Sequence, residues 1–266
     1  MGKVIACVNE KGGVAKTTTV KNLSIGLANT GKKVLVIDLD PSTSLSTSLG
    51  VFPEADDKSI LNILKRSVNL ENIEEDFAVV HHEEGIDLIP SVTELHGYSK
   101  EIADSMMPVT VLRWYVDSVK DKYDYVFIDC PAGLEIYTKN ALFAADAVII
   151  PNQPQFLAVS AMQNIFGLIS SVRKLNGTGT KPEIFGIIFT MVRPTTNNDK
   201  NVMEYYKQEY TGKVPLFNTY IPHSVRFTES DGEGKSIYKY APKTSAAMVY
   251  ADLVKEFLEM EGEKHE

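Results

Sequence analysis

Within the stretch Asn9-Glu10-Lys11-Gly12-Gly13-Val14-Ala15-Lys16-Thr17-Thr18-Thr19 lie two lysines, two adjacent glycines and a run of hydroxyls. Glycines carry no Cβ, so backbone N–H groups beside Gly12 and Gly13 can close around an anion. A helix starting just after them adds the partial positive charge of its N-terminus. Lys16 would bring a full charge to outer phosphates, and the Thr17 hydroxyl is placed to ligate Mg²⁺. Lys11 is surplus to that arrangement, since one lysine serves a phosphate cradle. It lies on the other side of the loop, poorly placed to fold back on its own ligand. It could instead enter a neighbouring subunit's site and stabilise charge on a transferring phosphoryl group.

Hydrolysis of a nucleoside triphosphate also needs an acid to hold the metal and a group to position water. Two apolar runs end in acids. Val34-Leu35-Val36-Ile37 leads into Asp38-Leu39-Asp40-Pro41, and Tyr125-Val126-Phe127-Ile128 leads into Asp129-Cys130-Pro131-Ala132-Gly133. Alternation along an extended strand puts Asp38 and Asp40 on one side. One is expected near the metal shell and the other nearer the terminal phosphate, with Asp129 holding a metal-bound water. A lone strand-end aspartate is most simply a loop cap; three beside one phosphate loop point to function.

The elements that must position these groups follow from periodicity. Val4 to Val8 reads as a strand, followed by the loop and a helical pattern from Val20 to Leu27. After the strand at Val34–Ile37 comes a Ser/Thr-rich loop from Ser42 to Ser48. Asp57 to Lys65 has helical spacing, with a cap expected near Asp57. Asn69 to Glu84 is acidic and irregular, and its His81-His82 pair reads as solvated. A short strand at Ile86–Pro90 and a helix at Val109–Val119 follow, with the single tryptophan, Trp114, assigned to the core. A helix at Glu135–Ala145 separates the Tyr125–Asp129 strand from another at Ala147–Pro151. Leu157, Met162, Ile165, Phe166, Ile169 and Val172 form a helical stripe suited to packing on a sheet. A strand at Ile184–Phe189, a surface helix at Asn201–Tyr210, a strand-like Thr219–Pro222 and a helix from Ser245 to Met260 complete the chain. Near-continuous apolar strands alternating with helices predict an α/β fold, a doubly wound and mostly parallel sheet with helices on both faces. Its ligands bind at the C-terminal ends of the strands, where the three aspartates fall.

The 266 residues suit one such domain, expected to span 1–266, and no repeat or long linker divides them. With 27 Lys+Arg against 35 Asp+Glu, the net charge of −8 excludes an overall polycation, so any nucleic-acid contact must be local. Cys7 and Cys130 sit in apolar contexts, lack metal-ligand spacing, and read as buried thiols. No secretory leader and no apolar segment of bilayer length is present, so a cytoplasmic location is expected.

Lys-Gly-Gly-Val-Ala-Lys-Thr-Thr resembles the deviant Walker A box of the ParA/MinD group of P-loop ATPases. Val34 to Pro41 resembles that group's second box, and Tyr125 to Gly133 its Walker B box. Asn9-Glu10-Lys11 and Ile221-Pro222-His223-Ser224-Val225-Arg226-Phe227-Thr228-Glu229 are similar to the ParA/Soj partition ATPases in particular. The resemblance covers nearly the whole chain, with the boxes in order. It implies ATP and Mg²⁺ as cofactors, bound through Lys11, Gly12, Gly13, Val14, Ala15, Lys16, Thr17 and Thr18. Met191 and Pro222 would border the adenine. Lys11 becomes the lysine that crosses an ATP-bound homodimer, Asp40 the residue orienting the catalytic water, and Asp129 the residue holding the metal through water. Thr17, Asp38 and Asp129 are the metal-side residues, and Lys11, Lys16, Asp40 and Asp129 the catalytic ones. Relatives bind DNA without sequence preference, which points to Arg193, Lys200, Arg226 and Lys235. Two departures stand out. Ala15 replaces the glycine usual before the loop lysine, and Cys130-Pro131-Ala132-Gly133 is closer to the MinD side.

The expected function is therefore an ATPase acting as a DNA-partition switch, slow until a ParB-type centromere-binding partner stimulates it, because no arginine finger is evident. In the ATP state it would associate with the nucleoid. The chain starts directly at its first strand, so no N-terminal helix-turn-helix domain is expected. A MinD-like membrane-cycling ATPase is the first alternative, opposed by the acidic helical end Leu253-Val254-Lys255-Glu256-Phe257-Leu258-Glu259-Met260-Glu261-Gly262-Glu263, which anionic lipid repels. An iron–sulfur carrier of the same superfamily is the second, opposed by the placement of Cys7 and Cys130.

Overall fold

The computed structural model describes residues 2–54, 58–155, 158–177 and 180–263. Its centre is a seven-stranded sheet made of β1 (Lys3–Cys7), β2 (Val34–Asp38), β3 (Val80–His81), β4 (Asp87–Ile89), β5 (Tyr125–Asp129), β6 (Ala147–Asn152) and β7 (Glu183–Phe189). The order is β3-β4-β2-β5-β1-β6-β7, parallel throughout except for the edge pair β3–β4. The acidic stretch before Ile86 thus supplies an edge strand that its composition conceals.

Alternation along each strand divides the core in two. Val4 and Ala6, Leu35 and Ile37, and Val126 and Ile128 join one apolar cluster. Ile5 and Cys7, Val34 and Val36, and Tyr125 and Phe127 join the other. On the first face lie α3 (Ile60–Val68), α4 (Ser99–Ala103), α5 (Val111–Val119), α6 (Ile136–Ala144), α7 (Ala158–Leu175) and α8 (Asn197–Tyr210). On the second lie α1 (Lys16–Asn29), α2 (Ser44–Ser48), α9 (Val225–Gly232), α10 (Ile237–Tyr240) and α11 (Ser245–Glu263). Helices on both faces leave the C-terminal ends of the central strands as the open edge where loops gather.

Several expectations are corrected locally. The Ser/Thr-rich stretch after Asp40 is not all loop, since Ser44–Ser48 closes into α2. Asp57 lies outside the described residues, and α3 is capped at Ser59, whose backbone N–H donates to Asn62 Oδ1 at 3.0 Å. Leu157 also lies outside them, whereas Met162, Ile165, Ile169 and Val172 are buried. Trp114 is 47% exposed, because α5 turns Val111, Leu112, Tyr115, Val116 and Val119 inward and leaves position 114 on the opposite face. Thr219–Pro222 forms no strand of its own, yet Ile221 donates its N–H to the Phe189 carbonyl and a single bridge joins Val192 to Pro222. His81 meets the Asp87 carboxylate and His82 meets the Leu49 carbonyl, so both imidazoles serve the β3–β4 edge.

Candidate active site

The loop between β1 and α1 is held from beneath by side chains of neighbouring strand ends. Asn9 donates through Nδ2 to the Pro151 carbonyl at 2.7 Å and accepts the Lys11 N–H at 2.9 Å. Thr190 donates its hydroxyl to the Val14 carbonyl at 2.9 Å, and Gly133 donates its N–H to the Glu10 carbonyl at 2.9 Å. With its backbone tied to β5, β6 and β7, the loop keeps its shape without relying on a ligand to fold it. Two of its residues adopt left-handed backbone, Gly13 at φ 70° and Ala15 at φ 62°. Alternation of this kind turns successive N–H groups toward one concavity, the geometry of an anion nest. Ala15 sits at the N-cap of α1 with a Cβ that the left-handed region disfavours. The alanine therefore stands at a left-handed position that favours glycine.

Above the loop opens a cleft of about 660 Å³. Gly12, Gly13, Ala15, Lys16, Thr17 and Thr18 form its floor, Asp40 and Ala132 one wall, and Met191 and Pro222 the far lip. The residues expected at phosphate and adenine are thus brought together, with two exceptions. Val14 is buried behind the loop, and Lys11 is exposed outside the cleft, where its Nζ meets Gln155 Oε1. Lys16 is 7% exposed and curls over the loop, its Nζ donating to the carbonyls of Asn9 at 3.3 Å and Lys11 at 3.2 Å. Those weak carbonyl contacts are what phosphate oxygens would replace.

The strand-end acids separate into different environments. Asp38 and Asp129 face each other in register on β2 and β5, both fully buried. Asp129 accepts the Thr17 hydroxyl on Oδ2 at 2.7 Å, and its other oxygen, Oδ1, is buried without a hydrogen-bond partner. Burial first, then the charge of Asp38, holds the Asp129 carboxyl well above the usual carboxylate range, opposed by the Thr17 hydroxyl and Lys16. A buried, unsatisfied carboxylate oxygen next to a threonine hydroxyl fits a hydrated divalent cation, which would satisfy the oxygen and favour its ionised form. Asp38 is occupied differently. Its Oδ2 accepts both the N–H of Ser46, at 2.9 Å, and the Ser46 hydroxyl, at 2.7 Å, while Oδ1 accepts the Asp40 N–H at 3.2 Å. Burial raises its carboxyl to about 6 against those bonds. In this conformation Asp38 organises the turn carrying Asp40 and the start of α2, and contributes no oxygen toward Thr17. Asp40 lies beyond the end of β2, half-buried on the cleft wall, and accepts the Ser42 N–H at 2.8 Å.

The cleft also uses residues whose roles the sequence order conceals. Ser42, Ser44, Thr47 and Ser48 line it, as do Phe227, Thr228 and Asp231 of α9 and Tyr250 of α11. The hydroxyl-rich run after Asp40 signals the first four and the box from Ile221 to Glu229 signals Phe227 and Thr228, whereas nothing local signals Asp231 or Tyr250.

Of the four basic residues expected at DNA, the structure brings Arg193 and Arg226 to neighbouring turns, while Lys200 lies on α8 and Lys235 follows α9. His223 donates its N–H to the Val192 carbonyl at 2.9 Å, bringing the Arg193 turn beside the start of α9, which carries Arg226. Arg193, Lys200 and Arg226 are exposed and Lys235 is half-buried. Arg226 pairs with Glu229 at 3.0 Å and Lys235 with Glu233 at 3.2 Å, while among the described residues Arg193 and Lys200 make no ion pair. Cys7 and Cys130 are buried, their thiols pushed up mainly by that burial, as expected of packing residues. No described helix is long and apolar enough to cross a membrane.

A family model described as an AAA domain matches residues 2–181. The sporulation initiation inhibitor protein Soj of Bacillus subtilis is 36% identical over 96% of this chain and 98% of its own length. The chromosome partitioning protein ParA of Caulobacter vibrioides is 31% identical over 98% of this chain and 96% of its own. Among solved structures, the septum site-determining protein MinD of Pyrococcus horikoshii, complexed with Mg-ADP, superposes with a TM-score of 0.75 at 26% identity, covering 96% of each chain. A tied phosphate loop, paired strand-end aspartates and these full-length likenesses lead to one conclusion: the chain belongs to the ParA/Soj-type partition ATPases of the P-loop family.

Proposed function

We propose that this ATPase works as a DNA-partition switch in which ATP closes a homodimer. The closed dimer holds DNA without sequence preference, and hydrolysis releases it. The observation that carries this reading is the position of Lys11. It belongs to the phosphate loop, yet its side chain is exposed outside its own cleft, while Lys16 alone is turned into it. A cation so placed can serve the terminal phosphate of a second subunit at the cost of one surface contact to Gln155.

Within each cleft, the loop and Lys16 bind the phosphates of ATP, Met191 and Pro222 border the base, and Asp40 orients the attacking water from the wall. Thr17 and Asp129 would hold Mg²⁺, which when bound supplies positive charge to the phosphate oxygens. Asp38 keeps Asp40 in place. On the rim, Arg193 and Lys200 offer DNA phosphates their full charge. Arg226 and Lys235 exchange exposed carboxylate partners for phosphate at little cost, since water already screens exposed pairs. Turnover remains slow until a ParB-type protein binds the dimer, and the ATP form resides on the nucleoid in the cytoplasm.

The test is the assembly state with nucleotide. Wild type and Asp40→Ala should be dimeric with ATP and monomeric with ADP by size-exclusion chromatography with light scattering. Lys11→Ala should stay monomeric while still binding ATP. A Lys11→Ala protein that dimerises as wild type does would overturn the cross-subunit role.

A further inference from the structure

Among the described residues, Lys16 and Lys21 are buried cations, and Lys21 does not line the cleft. Lys21 lies on α1, four residues beyond Thr17, and its side chain is fully buried. Its ammonium has three N–H donors and three acceptors, each from a different place. They are Asp231 Oδ1 in the last turn of α9 at 2.5 Å, the Lys235 carbonyl before α10 at 3.0 Å, and the Ser48 carbonyl at the end of α2 at 3.3 Å. The next residue repeats the pattern, with Asn22 Oδ1 accepting the N–H of Ile237 at 2.8 Å. The turns that Lys21 joins also touch directly. A Cβ at Gly234 would come within 2.8 Å of the Gly50 Cα, so these two turns pack at backbone distance.

A charge buried to this degree is retained in the fold only with its hydrogen bonds complete, and replacing it by an apolar chain need not destabilise the protein. What the charge adds is a fixed relation among three elements. The helix that begins at the phosphate loop, the segment that follows Asp40, and the helix whose first turn carries Arg226 all meet at this one ammonium. We infer that Lys21 is a positioning residue that couples the phosphate loop and the Asp40 segment to α9, so that nucleotide occupancy sets the presentation of the DNA-facing rim. This rests on the reading of the protein as a nucleotide-dependent DNA binder. Lys21 itself lies outside the cleft and touches no ligand.

The experiment compares wild type, Lys21→Met and Lys21→Gln by DNA affinity with ATP and with ADP, and by affinity for a fluorescent ATP analogue. Hydrogen exchange of the α9 amides is followed in both nucleotide states. Methionine matches the lysine stem and removes the charge, and the Asp231 carboxylate left behind is partly exposed and can be hydrated. Lys21→Met should bind the analogue within about threefold of wild type. Its ATP-over-ADP preference for DNA should fall about tenfold or more, the range of ordinary allosteric coupling. The ATP-dependent change in α9 exchange should disappear with it. A residue acting only through stability would shift the melting temperature and leave that preference intact, and an intact preference in Lys21→Met overturns the inference. If Lys21→Met does not fold, the same loss of preference is expected of Lys21→Gln, and its retention there is equally contrary. If wild type shows no nucleotide preference for DNA, the underlying reading fails first and this one with it.

Discussion

The ends of β2 and β5 place two aspartates side by side, equally buried and in register, and give them opposite surroundings. Three donors from the Asp40–Ser46 turn satisfy Asp38. At Asp129 a single donor, the Thr17 hydroxyl, leaves one oxygen without a partner. Burial raises both carboxyls, so burial alone does not separate their roles. Hydrogen-bond completeness does. A satisfied carboxylate holds protein together, and an unsatisfied one beside a phosphate loop is kept for something that arrives with the ligand.

That contrast can be broken by substitution. Asp38→Ala removes three bonds from a buried turn and should destabilise the fold by about 3 kcal/mol, read as a lower urea midpoint. Asp129→Asn keeps an acceptor for Thr17 and removes an unfavourable buried charge. Its midpoint should stay or rise, while Mg²⁺-dependent ATP turnover falls about 10- to 100-fold. If instead Asp129→Asn unfolds the protein and Asp38→Ala only slows turnover, the two roles are the reverse of those assigned.

Titration sharpens the same comparison. Asp38 binds its proton more tightly folded than unfolded, so its stabilising contribution is full at low pH. That contribution is lost as pH rises from about 4, the unfolded value, to about 6. Urea midpoints taken across that window should fall more steeply for wild type than for Asp38→Asn. Mg²⁺ should stabilise wild type increasingly as pH rises, since burial holds the Asp129 proton on and a protonated Asp129 resists the cation.

The smallest expected effect concerns the loop. Ala15→Gly removes a Cβ from a left-handed position and should stabilise the protein by about 1 kcal/mol. A lower midpoint would show that Ala15 is not strained.

The sequence carried the boxes, the strands behind them and the buried cysteines, because each is a local pattern of apolar period or glycine spacing. What it hid depends on partners distant along the chain. Asp38 and Asp129 look alike as strand-end acids, and only the packing of Ser46 on one of them separates their environments. Residue type alone points Trp114 to the core, whereas the stripe of Val111, Leu112, Tyr115 and Val116 places it on the outer face. Nothing local singles out Lys21, because its acceptors lie 27, 210 and 214 residues away.

The central claim is that nucleotide state controls DNA holding. It is tested most directly by measuring affinity for a random-sequence duplex with ATP, ADP or no nucleotide across a salt series. Tight binding with ATP alone is predicted, with log affinity falling linearly as log salt rises, as expected of phosphate contacts. Equal affinity in all three states, or binding indifferent to salt, would contradict it.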